Sequence, residues 1–433
     1  MEQTPTFKQA TLDNGLTVFL KEIHTAPLIS HWIWYRVGSR DEVPGKTGVS
    51  HWVEHMLFKG TPRFPSSDLD KLISRVGGSW NAYTYLDWTA FFEKLPADEI
   101  DLALDLEADR MQHCHFDPEE VESERTVIIS EREGHENSPY FRLDEAMQNQ
   151  SFDQHPYRNE VIGEKADLHA LTRDDLYNHY RTYYHPGNAV LAIAGDFETQ
   201  AMLAKIEKYY AGIPTGLQPL RPAELEAPLT QERRVEVTGP EETILVQFSY
   251  RAPAATQPDF FTMTILDSLL SGPSSLNMFG GGRISNKTSR LYRALVETGL
   301  AVAVSGGMRA TTHPFLYDIN LVLPPGTDTQ PALQAVDEQI QRLQNELVSQ
   351  ESVQRALKQA RAMFAYGSEN ITNQAFWMGY ANMFGKYDWF LNYVNELEKA
   401  TPESILEAAQ TWLNPARRVV GTYLPENGAG GAA

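Results

Sequence analysis

The sharpest chemical signal in the chain is His51-Trp52-Val53-Glu54-His55, two histidines four residues apart with a glutamate between them. On a helix, positions i and i+4 lie one turn apart on the same face, so both imidazoles reach a single cation. Glu54, three residues after His51, projects beside the same point. Two neutral imidazoles and one carboxylate suit Zn2+, with a fourth position left for water. The neighbouring Val53, Met56, Leu57 and Phe58 are apolar, which predicts a buried helix. Two histidines and a glutamate in such a helix need polar partners, and a metal meets that need.

The third ligand must come from another helix. Asp117-Pro118-Glu119-Glu120 is a strong helix start: an Asp cap, Pro in the first turn, then acids near the positive end of the dipole. That helix is expected to run to about Gly134. Glu124 and Glu131 are seven residues apart, two turns, and share a face with Ile128 between them. A carboxylate face dipping into Thr126-Val127-Ile128-Ile129 is unusual for solvation alone. Spacing leaves the choice open among Glu119, Glu120, Glu122, Glu124, Glu131 and Glu133.

The elements that must hold these residues fall into two halves. Thr11 to Lys21 reads as a hairpin turning at Asn14-Gly15, and His31 to Val37 as an aromatic, β-branched strand. Helices are expected over 47–58, 96–114, 171–184 and 200–210, with a buried strand over 188–195. His113-Cys114-His115 reads as an ordinary helix end. Between Gly212 and Leu229, four prolines and two glycines break any period, which marks a linker. Strand-turn-strand then restarts over 234–251, a helix follows over 260–270, strands over 302–304 and 316–323, and helices over 330–347, 351–366 and 402–412. Strand-rich openings followed by helices in both halves suggest a duplicated α+β unit. The expected division is 1–215 for the metal-bearing domain, 216–232 for the linker, 233–426 for the second domain and 427–433 for a flexible tail.

Composition narrows the function. The 433 residues carry a formal net charge of −20, which disfavours nucleic acid as a partner. No apolar run approaches the roughly 18 residues that span a bilayer, so no membrane partner is expected. The start of the chain lacks a basic, then apolar, secretory pattern, and the single cysteine, Cys114, suits a reducing compartment. The expected location is the cytoplasm. Gly280-Gly281-Gly282 is not followed by the Lys-Ser/Thr of a phosphate loop.

The chain resembles the M16 family of pitrilysin-like zinc metallopeptidases, whose motif has the inverted ligand order His-x-x-Glu-His. The likeness rests on His51 to His55 with Glu131, 76 residues beyond the second histidine, preceded by Glu124-Arg125-Thr126-Val127-Ile128. Asn14-Gly15-Leu16, Gly77-Gly78 with Asn81-Ala82-Tyr83-Thr84, His155-Pro156-Tyr157, His185-Pro186-Gly187-Asn188 and Gly299-Leu300-Ala301 extend it over nearly the whole chain. The resemblance implies two homologous α+β domains, each a mainly antiparallel sheet packed against helices, the fold of LuxS/MPP-like metallohydrolases. It implies Zn2+ on His51, His55 and Glu131, with Glu54 as general base and Glu124 as a second acid orienting a ligand or the water. Asn81, Ala82 and Tyr83 would receive a peptide substrate as an added strand.

In that family a homologous domain often supplies an Arg and a Tyr to the substrate carbonyl. Here those places carry Val296 and Val302, which cannot donate a hydrogen bond. The expectation is therefore a zinc endopeptidase subunit resembling those of the mitochondrial processing peptidase. Its partner would be a homologous chain in a heterodimer, or another copy of this chain. The alternative is a non-catalytic structural or assembly subunit of the same fold.

Overall fold

The computed structural model describes residues 7–219, 221, 226–276 and 284–426. Gly280-Gly281-Gly282, the tail 427–433 and residues 220 and 222–225 of the expected linker lie outside them. Among the described residues, no helix is long and apolar enough to cross a membrane.

The first sheet holds β1 (Phe7–Thr11), β2 (Thr17–Glu22), β3 (Leu28–Tyr35), β4 (Ser79–Thr84), β5 (Thr89–Pro96) and β6 (Ala189–Gly195). Their order is β1-β2-β6-β3-β5-β4, with β2 and β6 parallel and the other pairs antiparallel. The central strands β3 and β6 are buried along nearly their whole length, which is why β6, and β3 from Trp32 to Tyr35, read as continuous apolar runs rather than alternating ones. At one edge stands β4, paired among the described residues only with β5.

The second sheet holds β7 (Arg233–Gly239), β8 (Ile244–Arg251), β9 (Ala303–Met308), β10 (Leu316–Leu323) and β11 (Arg418–Pro425), in the order β7-β11-β8-β10-β9. Here β7 and β11 are parallel and the other pairs antiparallel. Strand for strand this repeats β2-β6-β3-β5-β4, in the same chain order and directions. The fold is thus the expected α+β, two like sheets each covered by helices. The 234–251 segment does form two strands, but β11, from the far end of the chain, lies between them.

Two compact units result, and they do not follow the chain's halves strictly. One comprises residues 1–132, 159–223 and 369–390, the other 133–158, 224–368 and 391–433. The helix Ile371–Phe384 covers β3 and β6 of the first sheet, with Phe376 set edge to face against Trp32 and Trp34. The helix Pro139–Ser151 covers β7, β8 and β11 of the second, where Leu143 and Met147 join Leu245, Val419 and Tyr423. Each sheet's apolar face is therefore sealed by a helix drawn from the other half of the sequence.

Candidate metal centre

The histidine motif lies on the helix Val49–Met56, close to the expected 47–58. Its start is held by Glu42, whose carboxylate accepts the backbone N–H groups of Gly48 and Ser50, both at 2.9 Å. That pairing meets two of the N–H groups a helix start leaves unsatisfied. Trp52, Val53, Met56 and Leu57 are fully buried, as the apolar neighbours predict. Their burial fixes the rotation of the helix and turns His51 and His55 to the opposite, half-exposed side. The two rings meet edge to face, 4.6 Å between centroids.

The helix Pro118–Glu136 supplies the acids. It is pinned through Arg125, whose guanidinium lies 4.7 Å from the Trp52 ring and donates to the carbonyls of Leu168 and Leu171. Glu131 Oε2 then stands 3.6 Å from His55 Nε2 and 4.0 Å from His51 Nε2. One donor atom from each of the three side chains lies within 4.8 Å of the others. Tetrahedral zinc at about 2.0–2.1 Å from each donor puts the donors about 3.4 Å apart, so the set fits with a small inward adjustment.

Glu124, two turns earlier on the same helix, is buried and sits beside the donor set rather than in it. Its Oε1 meets His55 Nδ1 at 2.8 Å, and its Oε2 receives Lys59 Nζ. A carboxylate on Nδ1–H keeps the proton there and leaves the Nε2 lone pair turned toward Glu131. Burial works against the Glu124 charge, but the bonds from His55 and Lys59 outweigh it and hold the carboxyl below its ordinary range. Burial also works against a charged His55, while Glu124, Glu54 and Glu131 together raise its pKa.

Glu54 is buried and accepts the hydroxyl of Thr84 at 2.8 Å. Burial raises its carboxyl above the usual range; the Thr84 bond and the nearby His55 act in the opposite sense. A carboxyl so tuned is suited to taking up a proton.

Thr84 ends β4, so the same hydrogen bond ties the edge strand to the motif. Asn81 and Tyr83 are exposed and Ala82 buried, and Tyr83 stacks on Phe92 of β5. The Ala82 N–H is taken by the Asn81 side-chain oxygen at 2.9 Å. Asn81 therefore caps a main-chain group that an incoming strand would otherwise use.

Thr84 and Lys59 escaped the reading of the sequence as partners of Glu54 and Glu124. Lys59 carried a usable signal: it falls four residues after His55, one turn on, where a cation meets the same acidic helix. Within the second unit, Val296 ends a short π-helical turn, Tyr292–Val296, and Val302 is 61% exposed.

The family model described as insulinase (peptidase family M16) matches residues 17–165, and that described as peptidase M16 inactive domain matches residues 170–360. An uncharacterized zinc protease of Mycobacterium leprae is 25% identical over 427 residues, 96% of this chain and 92% of its own length. The mitochondrial-processing peptidase subunit beta of Lentinula edodes is 26% identical over 322 residues, 72% of this chain and 67% of its own. Of three further bacterial zinc proteases, the alignment spans 61%, 66% and 62% of the length. The crystal structure of a protease from Helicobacter pylori superposes with a TM-score of 0.89 at 23% identity, covering 97% of this chain and all of that one. With the models for both domains of one family matched in succession, and that family's two-domain fold in place, the chain belongs to the M16 peptidase family.

Proposed function

We propose that this chain is a zinc endopeptidase that hydrolyses extended peptides, with His51, His55 and Glu131 as the metal ligands. The observation that carries the reading is the meeting of two imidazoles and a carboxylate from separate helices, with a buried Glu54 beside them. Zinc bound there supplies Lewis-acid polarisation of a water and of the scissile carbonyl. The protein's own groups do the rest. Glu54 accepts the proton of the attacking water and passes it to the leaving amine, with Thr84 fixing its orientation. Glu124 holds the His55 tautomer. The edge of β4 around Asn81, Ala82 and Tyr83 pairs with the substrate main chain once the Asn81 side chain gives up the Ala82 N–H, which selects for extension more than for sequence.

The pair absent at Val296 and Val302 supports a second element of the proposal. A homologous subunit, or a second copy of this chain, donates an Arg and a Tyr to the substrate carbonyl. A relative is itself named as a subunit, the beta subunit of a processing peptidase. The buried free thiol of Cys114 suits the reducing cytoplasm as its location.

The test is Glu54→Gln, assayed for bound zinc and for cleavage of a quenched fluorescent peptide. Zinc is expected to stay while turnover falls about 10²–10⁴-fold, the range for a lost general base. Loss of zinc would show that Glu54 is a ligand instead. Full activity of the purified chain as a monomer would remove the partner from the proposal.

A further inference from the structure

His155-Pro156-Tyr157, which the peptidase reading leaves without a task, borders a cavity of about 280 Å³ lying wholly within the second unit. Among the described residues its charged lining is Arg251, Arg417 and Glu226; Pro228, Pro314 and Trp412 form apolar walls.

Glu226 is already committed. Its carboxylate accepts the backbone N–H groups of Asp153, Gln154 and His155 at 2.8, 2.9 and 2.7 Å. Its approach to Arg251 Nη2 is therefore only 4.0 Å, beyond hydrogen-bond reach. Arg251 stacks on the Phe152 ring at 3.8 Å, which uses the face of the guanidinium and leaves its N–H edge. Nη2 on that edge is buried with no hydrogen-bond acceptor among the described residues. Burial lowers the Arg251 pKa to about 10, so the group stays charged at neutral pH. A buried charged donor without an acceptor is costly, and an acceptor entering the cavity would relieve that cost.

The remaining walls fix the charge and body of such a ligand. His155 Nδ1 accepts the Tyr157 N–H at 3.1 Å, so its proton is on Nε2, which meets His313 Nδ1 at 2.8 Å. Both rings are then neutral. Two arginines less one glutamate leave a single positive charge, which matches a monoanion rather than a phosphate. The Trp412 ring is held by its Nε1 bond to Asp259 at 2.8 Å and offers a fixed apolar wall.

We propose that this cavity binds a small monocarboxylate bearing an apolar or aromatic group. Its carboxylate lies on Arg251 and Arg417, and its body against Pro228, Pro314 and Trp412. Such a carboxylate is found on free acids and on the C-terminal residue of peptides. A planar guanidinium pairs with it in two-point fashion, which an amide cannot reproduce.

Calorimetric titration of the full chain tests this with 3-phenylpropionate, the peptide Gly-Gly-Phe and its C-terminal amide. Saturable binding of phenylpropionate or of the free-acid peptide is expected, the tighter of the two identifying the source. The amide should bind at least tenfold more weakly. Arg251→Gln should abolish binding, and Arg417→Ala, at the exposed rim, should weaken it severalfold with an unchanged melting temperature. His51→Ala should leave binding intact. Equal affinity for acid and amide, no saturation by either acid, or loss of binding in His51→Ala would each overturn the proposal. The last outcome would put the ligand at the metal centre instead.

Discussion

The two sheets share one strand order, yet only the first carries a metal-donor set among the described residues. In both, a helix follows the second strand of the shared pattern: Val49–Met56 after β3, Asp259–Leu270 after β8. On the first helix, His51 and His55 turn to a half-exposed side and converge with Glu131. On the second, the buried Asp267 is closed on itself by the hydroxyls of Ser271, Ser274 and Tyr317. The difference teaches that this scaffold does not dictate chemistry. What decides it is whether the helix's polar groups satisfy one another or converge with donors from another helix.

The comparison breaks most directly at the donors. His51→Ala or Glu131→Ala should remove the zinc from the chain and lower peptide cleavage roughly a thousandfold or more, the several kcal/mol that metal catalysis supplies. Chelation of the wild type should match them, and added zinc should restore only the wild type. Asp267→Ala should leave metal content unchanged; zinc lost there, or retained in His51→Ala, would put a second site in the other unit. A smaller effect is expected from Glu124→Ala, which frees the His55 tautomer. Zinc affinity should fall about 10–100-fold, read by competition with a chromophoric chelator.

Much of this asymmetry is legible in the residues. The His-x-x-Glu-His helix and its buried side follow from period and neighbours, and the Asp117 cap starts the second helix close to its observed Pro118. That Glu131 rather than Glu124 stands in the donor cluster does not follow. The two share a face, and only the position of His55 sets one beside Nε2 and the other beside Nδ1. The helix Ile371–Phe384 is invisible for a different reason. It is apolar and buried on nearly every face, so no amphipathic period marks it. The neighbours of β7 are equally hidden, because its partner β11 lies some 180 residues away and nothing local encodes the pairing.

The covering helices provide a test in stability rather than chemistry. A Cβ at Gly379 would stand 2.0 Å from the Trp34 indole nitrogen, whose ring is locked among Trp32, Trp88 and Phe376. Gly379→Ala is therefore expected to destabilise the first unit by about 1–3 kcal/mol. At Gly421 of the second unit, the nearest atom is Met147 Sδ at 2.3 Å, on a flexible side chain that can yield. Gly421→Ala should cost less, as read from urea midpoints. Equal losses would mean that both covers are packed with the same rigidity.

The smallest effect concerns Asp267 itself. Burial raises its carboxyl to about 6 from an ordinary 3.8, with the hydroxyl bonds from Ser271, Ser274 and Tyr317 opposing the shift. Between about pH 4 and 6 the folded chain keeps a proton that the unfolded chain has lost. The resulting stabilisation is fully present below about 4 and disappears as pH rises through 6. Asp267→Asn cannot titrate, so the wild type should gain melting temperature relative to the variant as pH falls from 7 to 4. Other acids raised by burial, such as Glu93 and Asp318, titrate in both proteins and cancel in the difference. Parallel curves for the two proteins would mean that the hydroxyls hold Asp267 ionised throughout. Its hydrogen bonds would then be charge-assisted, and the second unit would keep a permanent buried anion where the first gathers donors for a cation.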